Sequence, residues 1–259
     1  MFENPFSRRR SVQTDSADAS KAAAVRQTLS AGPASSGAAR VPAIGAQRTC
    51  ASMAGSKAAS KEISRTLMKL LKSRQGVPVE TLFGVLGSLA GFSCQMAIRD
   101  EYSRRANALP PLHVVRTLDG RVFYFGDALN ERLAESQFSV WSMSAGHARK
   151  LGGTPPDLSA IFAHVSRTCG GTDFGVPRFP EGRPVKDLPV DYVRTFWSLI
   201  QPAVQKHCGG PSEWHIAYGL AIQAAMDVSK AVIDPGAALE IVMECAVPMS
   251  KLDPREIGL

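Results

Sequence analysis

The sequence predicts a mainly α-helical fold with one β-hairpin, an α+β arrangement that follows a disordered tail. Apolar residues recur at helical spacing through most of the chain after residue 59. One stretch, HVVRTLDGRVFYFGD, has instead the composition of two paired strands. Residues 1–58 are rich in Ala, Ser, Gly and Arg and show no lasting period. We therefore divide the chain into a tail at 1–58, helices plus a hairpin at 59–153, and a four-helix part at 154–259.

The tail carries most of the positive charge of the chain. Its eight basic and three acidic residues give a net charge of +5, out of +7 for the whole sequence. A segment of this composition buries too little apolar surface to offset its chain entropy, so we expect it to stay disordered. Its Arg8, Arg9 and Arg10 can bind nucleic-acid phosphates or an anionic surface. The nearly neutral remainder argues against a folded nucleic-acid-binding face.

Two helices are predicted before the hairpin. Ser60 can cap the first, KEISRTLMKLLKSR, whose apolar residues fall on one face. The second contains TLFGVLGSLAGFSCQMAI, which has no charge, but its glycines and polar residues favour a buried core helix over a transmembrane segment. Gly84, Ser88 and Gly91 form a stripe of small residues on this helix, which lets another backbone approach closely. Such a face can serve association.

Residues 112–126 are predicted to form the hairpin. Asp119 and Gly120 separate two runs rich in Val, Phe and Tyr, and Gly accepts the positive φ that the turn needs. Asp127 can cap a following helix, ALNERLAE, and another short helix is expected around SVWSMSAGHARK. The alternative is a larger α+β fold in which the hairpin joins a sheet, because short apolar runs such as GFSCQMAI suit either a helix or a strand.

Residues 154–259 are predicted to form four helices, each with apolar residues on one face. Trp197 and Trp214 fall on these faces and are expected in the core, and Val228 and Val232 continue the apolar stripe of the third helix. The loop at 170–187 is too long for a plain connector, so we expect it to be functional or to cover a groove.

Two of these helices share an ending. IFAHVSRTCGG and IQPAVQKHCGG both finish in Cys-Gly-Gly, and in each the Cys is the last apolar residue of a stripe at i, i+4 and i+8. The first Gly of each ending is predicted to form a left-handed C-cap. Cys169 and Cys208 are thus expected to be buried, inert thiols.

The alternative for the same region is a chemical site. Cys169, Cys208, His164 and His207 are the candidate nucleophiles, bases or ligands of a pocket under the 170–187 loop. Zinc favours ligand pairs two to four residues apart, whereas the adjacent His207 and Cys208 point about 100° apart on a helix. A glycine-rich phosphate loop and a G-x-S-x-G motif are absent from the sequence. We therefore expect no metal and no cofactor.

The hairpin holds a second candidate surface for a ligand or partner. Arg116, Arg121 and Tyr124 combine cations with an aromatic ring, which on one face can stack a base or hold an anionic ligand. The alternative is a ribbon with its aromatic face on the core and its arginines in solvent.

These observations favour a non-catalytic protein-interaction or regulatory protein that forms homo-oligomers. Five cysteines, odd in number and without a C-x-x-C motif, indicate a reducing compartment, which we take to be the cytoplasm. One alternative is an enzyme or small-ligand-binding protein with a Cys/His pocket under the 170–187 loop. The other is a protein that binds nucleic acid or an anionic surface through its basic tail.

Overall fold

The computed structural model describes residues 44–104, 110–179 and 187–259, with side chains from residue 53 onward. The segment from Ala43 to Leu259 forms one compact unit. Most of the predicted tail, including Arg8, Arg9 and Arg10, lies outside the described residues, and so does part of the 170–187 loop.

The described residues form eight α-helices and one two-stranded antiparallel sheet, which confirms the predicted mainly α fold with a single hairpin. The helices are α1 (Ile44–Leu70), α2 (Val79–Ser103), α3 (Asp127–Asn130), α4 (Val140–Lys150), α5 (Leu158–Thr168), α6 (Pro189–His207), α7 (Trp214–Ser229) and α8 (Pro235–Met249). The strands are β1 (His113–Arg116) and β2 (Val122–Phe125), and a π-helical turn (Glu131–Glu135) follows α3.

Helix α1 begins earlier than the sequence predicted. It starts at Ile44 and not near Ser60, so part of the segment that we assigned to the tail is helical. Alanine has the highest helix propensity, and burial adds to it here, since Ser56 and Ala59 are fully buried and Gly55 lies against the end of α6. The Ser60 hydroxyl donates to a carbonyl within the helix and therefore caps nothing.

Helix α2 is the centre of the core. Every residue from Thr81 to Gln95 is buried, and the helix packs against α6, α7 and α8. Among the described helices, α2 alone has the length and composition of a membrane-spanning segment, and 94% of its apolar window is buried inside the protein. The burial supports the predicted core helix.

Small residues let α2 approach the backbone of α8. A Cβ atom on Gly87 would lie 2.8 Å from the Cα of Val242, and one on Gly91 would lie 2.7 Å from the Cα of Ala246. The predicted stripe contained Ser88 in place of Gly87, but the Ser88 hydroxyl bonds within its own helix. Because α8 covers the glycine face, this face is not free for another chain, contrary to our expectation.

The hairpin forms as predicted. Val114 pairs with Tyr124, and Gly120 completes the turn with a φ of 88°. The other edge of β2 meets the segment after α8, where the Tyr124 N–H donates to the carbonyl of Lys251. Strand β1 is exposed along its length. No further strand joins the two within the described ranges, so the larger sheet that we considered is not found there.

The C-terminal helices follow the predicted pattern. Asp157 and Asp234 cap α5 and α8 with their carboxylates, whereas Asp127 is the first residue of α3 and makes no capping bond. Trp197 and Trp214 are buried as predicted, with ring centroids 6.4 Å apart.

The two Cys-Gly-Gly endings differ. Gly170 adopts the predicted left-handed conformation, with a φ of 83°. At the other ending, Cys208 is extended and Gly209 is not left-handed, so the predicted cap there is wrong. The N–H of Gly209 instead donates to Glu213 Oε2 at 3.1 Å, so a side chain satisfies this backbone group.

Candidate functional site

The two candidate thiols are half-buried and not fully buried as predicted, and they lie in different environments. Cys169 follows α5 and faces Arg121 of the hairpin, whereas Cys208 follows α6 and faces Ser56 of α1. Burial raises the pKa of Cys208 to about 12 and also raises the pKa of Cys169. Because the thiolate is the reactive form, neither position is activated as a nucleophile.

The two candidate histidines are also separated. His164 is a half-buried residue of α5, and His207 ends α6 with its Nε2 2.6 Å from Glu62 Oε2 of α1. The same oxygen lies 3.3 Å from Lys206 Nζ, and hydrogen bonds from these two residues lower the pKa of Glu62. The cluster ties α6 to α1. Within the described ranges, no group of three or more His, Cys, Asp and Glu residues could hold a metal.

A cavity of about 160 Å³ lies beneath the described part of the 170–187 loop. Arg121 lines it, together with apolar residues such as Phe123, Phe174 and Met249, but the four Cys and His candidates do not. Its volume is below the roughly 300–1,000 Å³ of ordinary ligand pockets. The cavity therefore lies between the loop and the hairpin, and its lining does not include the residues of the predicted Cys/His pocket.

An ion pair holds this loop on α8. The guanidinium of Arg178 donates to Glu244 Oε1 at 2.7 and 3.1 Å, and the backbone N–H of Arg178 donates to Oε2 at 3.2 Å. Glu244 lies in the middle of α8 with a side chain only 2% exposed. The pair is structural, because it neutralises a buried carboxylate.

The three hairpin candidates do not converge on one face. The Arg121 guanidinium donates to the carbonyls of Gly170 and Gly171, so it closes the end of α5. The Tyr124 ring lies under the guanidinium of another residue, Arg99, at 4.1 Å from the ring centroid. Arg116 alone remains exposed.

Lys251 is a buried charge that the sequence analysis missed. It is 2% exposed, and its Nζ donates to Asn130 Oδ1 at 3.2 Å. The rings of Phe125 and Phe162 lie 5.2 and 5.7 Å from Nζ and stabilise the ammonium. No carboxylate pairs with it in the described part of the chain, and burial lowers its pKa to about 8. An open cleft lined by Asn130 and Phe162 adjoins it, but Lys251 does not line that cleft.

A wide apolar groove lies between α1 and the end of α7, and we call it the α1–α7 groove. It has a volume of about 640 Å³ and continues into a smaller cavity of about 200 Å³. The N-terminal part of α2 forms its floor. Its apolar lining consists of Met68, Val77, Val79, Leu82, Val228 and Val232.

The walls of the α1–α7 groove are exposed. Met68 is 43% exposed, Val228 is 77% exposed and Val232 is 63% exposed. Scattered surface valines are ordinary, but contiguous apolar side chains around a groove are typical of an interaction site. The sequence placed Val228 and Val232 on the core stripe of the third C-terminal helix. In the structure α7 ends at Ser229, so Val232 follows it, and no neighbouring element within the described ranges covers either side chain.

The rim of the groove is basic. Arg65 and Lys69 of α1, with Lys72 two residues after the end of α1, line one side, and the groove lining contains no Asp or Glu. None of the three forms an ion pair in the described part of the chain. We did not predict this rim from the sequence; the spacing of these basic residues at i, i+4 and i+7 is the signal that could have indicated it.

No protein-family model matches the chain, and no curated protein or solved structure is significantly similar to it.

Proposed function

We propose that this chain is a non-catalytic protein-interaction protein that binds another polypeptide in the α1–α7 groove. The observation that carries the proposal is the exposed apolar lining, above all Val228 and Val232. Each of these side chains gains roughly 1–2 kcal/mol when a partner removes it from water. Contiguous exposed apolar side chains of this kind are typical of a surface that another molecule covers.

The chemistry of the described residues supports binding over catalysis. Burial raises the pKa of Cys169 and Cys208, so both remain protonated thiols at neutral pH. The four described cysteines are free, which supports the reducing compartment, and hence the cytoplasm, that we inferred from the sequence.

The basic rim bears on the homo-oligomer that we expected from the sequence. Two copies that meet groove to groove place both sets of Arg65, Lys69 and Lys72 in one interface, where neither groove lining has an acidic residue to pair with them. Like charges in such an interface are destabilising. We therefore propose a different polypeptide as the partner in this groove.

Site-specific photo-crosslinking in cells tests the proposal. A benzophenone amino acid at Val232 is expected to give a discrete polypeptide adduct, and Met68→Asp on the opposite wall is expected to abolish it. The same amino acid at Leu118, a fully exposed position at the tip of the hairpin, is the control. Adducts that are absent at Val232, or that form equally at Leu118, would contradict the proposal.

A further inference from the structure

The basic rim defines the charge of the partner. All three cations are exposed: Arg65 and Lys69 lie one turn apart on α1, and Lys72 follows two residues after the helix ends. With no acidic residue in the groove lining, these cations repel one another and attract an anion. A partner with carboxylates along the matching edge offsets this repulsion and is guided to the groove by it.

The shape of the groove defines the form of the partner. Arg65 and Lys69 lie about 6 Å apart along α1, at 1.5 Å per residue, and Lys72 extends the row beyond the end of the helix. Val228 and Val232, four residues apart, form the facing wall, and Leu82 lies on the floor. A helix of about three turns with apolar residues at i, i+4 and i+7 fits such a groove, as in other complexes where a helix binds between helices.

Other occupants fit less well. A fatty acyl chain needs a cavity that encloses most of its surface, whereas Val228 is 77% exposed at the edge of the groove. The N-terminal segment 1–43 has six basic and three acidic residues, so its charge has the same sign as the rim.

We infer that the α1–α7 groove binds an acidic amphipathic helix of another protein, with its apolar face between α1 and α7 and its carboxylates against Arg65, Lys69 and Lys72. This inference rests on the proposed function of the groove and adds the chemistry of the partner.

Two designed peptides with the same apolar face test the inference. One carries Glu on the flanking positions and the other carries Lys, and fluorescence anisotropy measures their binding to the full chain. We expect the acidic peptide to bind at least roughly tenfold more tightly, because the three cations attract its carboxylates and repel the lysines of the other peptide. Lys69→Glu with Lys72→Glu is expected to reverse this preference.

Matched variants separate charge from folding. Arg149→Glu with Lys150→Glu makes the same charge change at an exposed site on α4 and is expected to keep the preference for the acidic peptide. Val232→Asp is expected to abolish binding of both peptides. Circular dichroism and thermal melts identify any variant that does not fold, and binding is compared among the folded ones.

The outcomes distinguish the inference from the proposed function. Equal binding of the two peptides, or no effect of the charge reversal, overturns the acidic partner. If neither peptide binds but Val232 still crosslinks to another polypeptide, the inference fails and the proposed function stands. Crosslinks to a second copy, to lipid or to segment 1–43 overturn both the inference and the proposed function, and so does the absence of any crosslink.

Discussion

The contact between α2 and α8 gives a prediction that the structure specifies in detail. In Gly91→Ala, the new methyl carbon would lie 2.6 Å from the carbonyl carbon and 2.7 Å from the Cα of Ala246. Carbon atoms in van der Waals contact are about 3.5–4.0 Å apart. Both neighbours belong to the backbone of a buried helix, so no rotamer change relieves the overlap. The two helices must separate by roughly 1 Å.

The expected cost follows from two opposing effects. Overpacking in a core typically destabilises a protein by about 1–3 kcal/mol, and a contact between two backbones belongs at the upper end. Replacing a helical Gly with Ala returns about 0.5–1 kcal/mol. We therefore expect a net loss of roughly 2 kcal/mol, which for a chain of this size lowers the Tm by about 4–8 °C.

Gly146→Ala is the matched control. Gly146 lies in α4, is exposed, and has open space where its Cβ would be. The same substitution is therefore expected to stabilise the protein by about 0.5–1 kcal/mol. Urea unfolding followed by circular dichroism measures both variants. If Gly91→Ala unfolds at the same urea concentration as Gly146→Ala, the close contact of α2 with α8 does not form and the reasoning fails.

Three further predictions concern buried ionisable side chains. Burial lowers the pKa of His215 to about 3, so the unfolded chain binds the extra proton below about pH 6.5 and stability falls toward acid pH by up to about 1.4 kcal/mol per pH unit. Urea unfolding at several pH values should show that the stability of His215→Leu depends less steeply on pH. An unchanged dependence on pH would contradict the burial of His215. Burial lowers the pKa of Lys251 to about 8, so stability should rise by roughly 3 kcal/mol between about pH 8 and 10.5. Lys251→Met should remove that rise, and its persistence in the variant would assign it to other groups. Arg178→Ala removes the guanidinium from the buried Glu244 carboxylate and should cost about 2–3 kcal/mol, whereas Arg194→Ala at an exposed pair should cost at most about 1 kcal/mol. Equal losses in thermal melts would argue against the buried pair.

Much of the fold could be predicted because local signals agreed with tertiary packing. The hairpin follows from Asp119 and Gly120 between β-prone runs, and α5 and α8 follow from their Asp caps. The start of α1 was missed because an Ala-rich segment without a period suits either a tail or a helix. Ser56 is buried by residues distant in the sequence, and this burial favours the helix over the tail. The periodicity of the sequence contains no information about such burial.

The candidate site was harder to predict for the same reason. Val228 and Val232 continue an apolar stripe, and a stripe shows which side of a helix is apolar without showing whether another element covers it. Lys251 follows α8 in a polar stretch, and its burial arises from β2, α3 and α5 together. Such long-range enclosure leaves no local pattern in the sequence.

The position of α2 in the core has a consequence for biosynthesis. This helix is translated early, at residues 79–103, but the helix that covers its glycine face comes at 235–249. At ordinary translation rates the interval is on the order of ten seconds. During that time the uncharged part of α2 has left the ribosome without the helix that covers it. A product that terminates before α8 keeps that segment exposed, so it should aggregate or enter membranes and not accumulate as a folded fragment.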